Sequence, residues 1–173
     1  MEGTRFAVLA GVRAHLIGLL LVAACTGGNA GDDDDDGGGG GFVGLWQYQQ
    51  DSFSFVNCFT TSRNVDLTRT GFQIVDEAGT LIRINPDGCR FTIVLSTVRH
   101  ASGVEGEQCT VNGDDGFGNP LTTLYTLESL VMEIDPGEGV EMNEVFFLDA
   151  LQTTSLGTVH CEISGSNTLD RAP

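Results

Sequence analysis

The side chains that could do chemistry in this chain are few: five cysteines, three histidines and a handful of closely spaced carboxylates. Cys58, Cys89, Cys109 and Cys161 are separated by 31, 20 and 52 residues, and no Cys-x-x-Cys pair occurs. A tetrahedral zinc site draws on close ligand pairs, so this spacing does not indicate a metal. An even number of thiols in an exported domain indicates disulfides instead. His100 and His160 are the imidazoles outside the N-terminal segment that holds His15. On a strand, Cys161 points to the face opposite its neighbour His160, which argues against a Cys–His nucleophile and base. Glu105 and Glu107 stand two apart, a spacing that puts two carboxylates on one strand face, but strand-edge glutamates are ordinarily solvated. The stretch Asn112 to Asn119, with Asp114 and Asp115 among glycines, offers oxygen atoms to calcium and reads more simply as a surface loop. The sequence holds no Gly-x-Ser-x-Gly elbow, phosphate loop or His-Glu-x-x-His motif. These residue types indicate a domain that works without catalysis, metal or cofactor.

The elements that must position them read as strands. Phe91, Ile93 and Leu95 alternate with Thr92, Val94 and Ser96, and Val159, Cys161 and Ile163 alternate with Thr158, His160 and Glu162, the two-residue period of a half-buried sheet. Further strands are expected at Leu45 to Cys58, bent in the middle, and at Val65 to Thr68, Phe72 to Asp76, Thr80 to Ile84, Cys109 to Val111 and Leu121 to Ile134. Asn85-Pro86-Asp87-Gly88 suits a type I turn, because proline presets the backbone and glycine closes it, so Leu81 to Ile84 and Cys89 to Leu95 should form a hairpin. Glu77-Ala78-Gly79 should make another turn. Asn143 to Gln152 fits a helix or a buried strand by periodicity alone, and the all-strand context selects the strand. Eight or more short strands with hairpin links imply an all-β domain, an up-and-down antiparallel β-barrel or a closely related β-sandwich.

Strand positions also suggest how the cysteines pair. Cys89 and Cys109 flank a segment expected to turn back near Ala101-Ser102-Gly103. Cys58 and Cys161 lie on early and final strands that become neighbours if the sheet closes. The expected disulfides are therefore Cys89–Cys109 and Cys58–Cys161.

Arg5 and Arg13 precede an apolar stretch that ends in Val22-Ala23-Ala24-Cys25. The stretch is too short to span a bilayer. This arrangement resembles the lipobox of a bacterial lipoprotein signal peptide. The resemblance implies cleavage after residue 24 and attachment of lipid to Cys25, so that the lipid bilayer becomes a partner of the protein. Two or three acyl chains anchor stably where one does not. Thr26 follows the cysteine in place of aspartate, which by similarity to Gram-negative lipoproteins implies the outer membrane. Residues 25–41 then read as a disordered Gly/Asp-rich tether, since no apolar residue larger than alanine is present to offset the entropy of ordering. The run Asp32 to Asp36 lacks the closing glutamate of a calcium-binding loop and reads as a solvated spacer.

The remaining 132 residues, 42–173, are one domain's length and can bury a core. The whole chain has eight arginines and no lysine; the domain's six arginines against 18 acidic residues leave it near −12. Such a surface repels phosphate backbones, so nucleic acid is excluded as a partner.

Two family resemblances rest on the domain. Gly44-Leu45-Trp46, Cys58, the pair Cys89 and Cys109, and the ending Thr158 to Ile163 with Cys161 resemble small outer-membrane lipoprotein domains of myxobacterial type. That family has no assigned activity, and the resemblance implies architecture and location only. Gly44, Trp46 and Arg171 also resemble the barrel floor of lipocalins and other calycins, where an arginine after the last strand lies across the indole. That likeness implies a cavity for a small apolar ligand, although the Thr-Asp-Tyr loop motif of the larger family is missing. Small barrels are normally filled by their own side chains. The expected function is thus a cell-envelope lipoprotein with a structural or partner-binding β domain, and the alternative is lipocalin-like binding of a small apolar ligand.

Overall fold

The computed structural model describes residues 41–59, 61–115, 118–135 and 141–173. Residues 1–40, which hold the expected signal segment, Cys25 and nearly all of the expected tether, lie outside the described residues. Among the described residues eleven strands form in chain order: β1 (Gly44–Tyr48), β2 (Phe53–Cys58), β3 (Thr61–Asp66), β4 (Gly71–Glu77), β5 (Thr80–Ile84), β6 (Arg90–Leu95), β7 (His100–Gly103), β8 (Gln108–Asp114), β9 (Pro120–Ile134), β10 (Glu141–Thr154) and β11 (Gly157–Arg171). The sheet runs β1-β4-β5-β6-β7-β9-β10-β11, and β11 pairs back onto β1. Eight antiparallel strands therefore close into a barrel, the first of the two architectures expected from the sequence, and closure removes the edges an open sheet would expose.

Three strands are too long for the barrel alone. β9, β10 and β11 have 15, 14 and 15 residues, and each builds barrel wall with one half and a projecting sheet with the other. Along β11, Leu169 to Arg171 pair with β1, while Cys161 to Gly165 pair with β2. The segment expected as one bent strand from Leu45 to Cys58 is thus two strands on the same side of β11, broken where Asp51 turns to a φ of 66°. β7 and β8 share β9 in the same way, with β7 against Ser102-to-His100 partners Val131 to Glu133 and β8 against Pro120 to Thr126. The projecting sheet is therefore β3-β2-β11-β10-β9-β8.

Two sequence expectations change here. Ala101-Ser102-Gly103 belong to β7 and are not a turn. The reversal precedes them, where the Ser96 and Thr97 amides both donate to the His100 carbonyl, and a second turn at Val104 to Glu107 follows. Glu105 and Glu107 consequently sit in that second turn and not on a strand face. The Glu107 carboxylate accepts from the Thr92 amide at 2.5 Å and the Thr92 hydroxyl at 2.6 Å, which clamps the turn onto β6. Asn143 to Gln152 lies wholly inside β10, as a strand.

Residue parity shows why the long strands can keep one face inward throughout. On β10 the inward positions are Met142, Glu144, Phe146, Leu148 and Ala150, while on β9 they are Thr123, Tyr125 and Leu127 and then Leu130, Met132 and Ile134. The β9 pattern skips a residue because Phe147 pairs with Ser129 and Leu148 with Leu127, which leaves Glu128 as a bulge. An extra residue on one strand restores the inward phase and bends the strand at the point where it leaves the barrel.

The closed end of the barrel is filled. Phe42, Trp46, Ile74, Met132, Met142 and Leu169 are fully buried there, and the Trp46 indole donates to the Phe42 carbonyl at 2.8 Å. Arg171, the last residue of β11, pairs with Trp46 in register and holds its guanidinium 5.8 Å from the indole centre. It also donates to the Val43 carbonyl. Gly44 has a φ of 152°, and a Cβ there would lie 2.9 Å from Arg171 Nε. Glycine at this position is thus required both by the backbone and by the arginine that crosses it.

Candidate functional site: a cavity at the barrel mouth

At the opposite end, where β9, β10 and β11 leave the barrel, the interior opens into a cavity of about 300 Å³. Its wall is mainly apolar: Phe72 from β4, Phe91 from β6, Leu127 and Leu130 on either side of the β9 bulge, and Phe146 and Leu148 from β10. The strand halves that project beyond the barrel supply Ser54, Tyr125 and Ile163. The β5–β6 turn, Asn85 to Asp87, forms the facing rim. That turn is closed by a hydrogen bond from the Gly88 amide to the Asn85 carbonyl at 2.9 Å, and Asp87 accepts from the Cys89 amide at 3.0 Å.

A buried ion pair stands at the cavity's inner end. Arg83 Nη1 donates to Glu144 Oε1 at 2.8 Å, Nη2 donates to the Tyr48 hydroxyl at 3.2 Å, and Nε donates to Asn85 Oδ1 at 2.8 Å. The Tyr48 hydroxyl donates in turn towards Glu144, at 3.3 and 3.4 Å from its two oxygens. The guanidinium also lies 3.8 Å above the centre of the Phe72 ring, a cation–π contact. Burial alone would lower the Arg83 pKa, but the Glu144 carboxylate and the Tyr48 hydroxyl outweigh it and the net shift is upward, so Arg83 stays charged. Burial, reinforced by Glu144, raises the Tyr48 phenol well above its ordinary range and keeps it protonated. The pair is matched and hydrogen-bonded, the condition under which two charges can be kept out of water.

The disulfides shape the wall. Cys89–Cys109, 20 residues apart in sequence, joins the residue just before β6 to β8. Cys109 lies directly opposite Tyr125 in register, so this bond holds the β5–β6 turn over the tyrosine that lines the cavity. Burial, with Asp87 nearby, raises the Tyr125 pKa. Cys58–Cys161 joins β2 to β11 as a directly opposed pair on the inward side of the projecting sheet.

The residues singled out in the sequence fall into three places. Gly44, Trp46 and Arg171 come together at the closed end, away from the cavity. The four domain cysteines form two disulfides, in the expected pairs. His160 faces outward, 3.4 Å from Asp149, and His100 lies 3.7 Å from Glu133, both well exposed and neither near the cavity. The Asn119 backbone amide and side-chain amide donate to the Asp115 carboxylate at 3.1 and 2.8 Å. Among the described residues no group of three metal-ligating side chains assembles. Cys25 lies outside the described residues.

Arg83, Glu144 and Tyr48 escaped the sequence reading. The available signal was parity: Glu144 alternates in phase with Met142 and Phe146, which puts a carboxylate on an apolar face. Comparison with protein-family models, with curated proteins and with solved structures gives no match for this chain.

Proposed function

We propose that this domain holds a small, mainly apolar ligand in the cavity at the barrel mouth, displayed from the outer membrane through lipid on Cys25. The observation that carries the reading is the cavity itself: about 300 Å³, apolar walls, and a small set of polar groups converging at its inner end. Sites for small molecules have this composition, with orientation set by a few fixed polar atoms. The filled half around Trp46 gives the open half a rigid base. Among the described residues no nucleophile and base meet at the cavity, and the proposed reading is of binding without chemistry.

The test is saturable binding of the neutral fluorescent probe N-phenyl-1-naphthylamine. The expected result is enhanced emission at one probe per chain, abolished by Leu148→Trp, which places an indole in the cavity. Absence of saturable binding to the wild type overturns the reading. Anchoring is tested separately by detergent partitioning of the full-length protein expressed in a Gram-negative host, where Cys25→Ala should move the domain from the detergent to the aqueous phase.

A second reading, as an envelope-structural or partner-binding domain, is favoured by one surface. Phe53, Phe55, Val94, Val131, Val145 and Phe147 are each at least 40% exposed on the outward face. Phe55 and Phe147 meet in register through Ser164, Val94 and Val131 through Ser102, and Val131 pairs directly with Val145. Contiguous apolar area of this kind marks interaction surfaces. The two readings separate cleanly, because Phe55→Asp with Phe147→Asp should leave probe binding intact while removing any function that resides in the outward face.

A further inference from the structure

We infer that the cavity selects uncharged ligands that present a hydrogen-bond acceptor at one end, and that it discriminates against anionic and cationic ligands of the same size. This deepens the ligand-binding reading and rests on it.

The recognising group is Arg83. A guanidinium carries five N–H bonds, and three are committed: Nε to Asn85, one on Nη1 to Glu144, and one on Nη2 to Tyr48. Two N–H bonds remain on a side chain that lines the cavity. They can be satisfied by an oxygen that accepts, such as a ketone, ester, aldehyde or alcohol. Among the described residues no other cation lines the space.

Charge selectivity follows from what stands behind that donor. Glu144, fully buried and 2.8 Å from Nη1, already neutralises the guanidinium. A ligand carboxylate would have to leave water for an apolar chamber where the charge of Arg83 is already neutralised, and it would approach Glu144 behind and Asp87 at the rim. The domain's charge near −12 adds to the same repulsion. A ligand ammonium seated at the inner end would meet Arg83 head-on, with Glu144 behind the arginine and Asp87 away at the rim, where it already accepts from the Cys89 amide. At the inner end either charge is stripped of solvent without a free partner, which costs far more than placing a neutral acceptor there. A carbonyl needs only the donors that Arg83 still has.

The experiment is displacement of N-phenyl-1-naphthylamine at pH 7 by three eight-carbon ligands: 2-octanone, octanoate and octylammonium. The expected result is half-displacement by 2-octanone at a concentration at least tenfold below that of either ion. Glu144→Gln then removes the compensating charge, and octanoate should gain at least tenfold relative to 2-octanone. Failure of the wild type to bind the probe defeats the ligand reading and this inference with it. Probe binding with octanoate or octylammonium displacing as well as 2-octanone overturns the neutral selectivity alone. A folded Glu144→Gln protein with an unchanged ratio of octanoate to ketone overturns it as well, and if that variant does not fold, the wild-type comparison decides.

Discussion

Glu144 is buried as completely as any apolar residue in the barrel, and its tolerance there depends on Arg83 and Tyr48. Breaking one side of a buried pair leaves the other charge without water or partner. Arg83→Met should therefore cost about 3–5 kcal/mol, whereas Arg83→Met combined with Glu144→Met should cost much less or nothing. Urea midpoints of the two proteins measure the difference, and equal losses would show that the pair is not coupled. Tyr48 gives a second handle. Its folded pKa is raised above the unfolded value of about 10, so the stability it contributes is complete below that pH. As pH rises further the unfolded chain releases a proton that the folded chain retains, and stability falls. Tyr48→Phe should show a shallower alkaline decline than wild type above pH 10; identical slopes would mean that the phenol ionises in the folded protein. These three residues were hard to read in advance for a physical reason. Arg83 is flanked by Ile82 and Ile84, both half-buried, so either parity of β5 presents apolar side chains. Glu144 lies where the apolar run of β10 fits helix and strand periods alike, and only pairing with β9 and β11 fixes which way it points.

Alternation and turn chemistry made the β4–β5 and β5–β6 hairpins legible, because each strand there is half-buried and each turn carries its own residues. Gly79, at a φ of 85°, and Gly88, at 87°, supply the left-handed positions that these turns need. β7 was illegible by the same logic. His100-Ala-Ser-Gly103 has little strand propensity and ends in a glycine associated with turns, yet a Cβ at Gly103 would sit 2.5 Å from Leu127. That glycine serves close packing of β7 against β9, a requirement that only the tertiary structure reveals. The projecting sheet was also invisible in advance, since the division of β11 between two partners leaves no mark in its alternation and the phase shift at Glu128 in β9 does not by itself say where the partner changes. The disulfides test this division. Cys58–Cys161 encloses the longer segment and should contribute up to about 4.7 kcal/mol by loop closure, and Cys89–Cys109 about 3 kcal/mol. Because only the second holds the rim turn over Tyr125, Cys89→Ser with Cys109→Ser should weaken N-phenyl-1-naphthylamine binding beyond its effect on stability. Cys58→Ser with Cys161→Ser should lower the denaturation midpoint and leave the probe affinity of the folded protein nearly unchanged. Equal effects of the two pairs on affinity would mean that the rim does not depend on its local disulfide.

At the scale of the whole molecule, one barrel does two incompatible things, packing tightly at one end and staying open at the other, and the closed end must be rigid for the open end to keep its shape. Closure is made where the first and last strands meet. Trp46 lies beside Arg171 in the β1–β11 pairing, the Ala172 amide donates to the Leu45 carbonyl at 2.8 Å, and Gly44 leaves room for the guanidinium. The composition and the Gly-x-Trp opening announced a floor of this kind, because a lone tryptophan beside an early strand and an arginine at the end of the final one can meet only if the sheet closes. Trp46 fills the most volume of the fully buried side chains, so Trp46→Ala should cost about 3–5 kcal/mol through the space it vacates. Arg171 is more exposed, and Arg171→Ala should cost only about 0.5–1 kcal/mol through the lost cation–π contact. Gly44→Ala should exceed Arg171→Ala, since it imposes a strained φ and displaces the arginine as well. Guanidinium midpoints rank the three variants. As Trp46 is the single tryptophan in the chain, iodide quenching of its fluorescence reports the floor directly. The native protein should resist quenching until it unfolds. Ready quenching under native conditions, together with an Arg171→Ala midpoint equal to wild type, would show that β1 and β11 do not close the barrel in solution, and the cavity would lose the rigid base from which its walls are held apart.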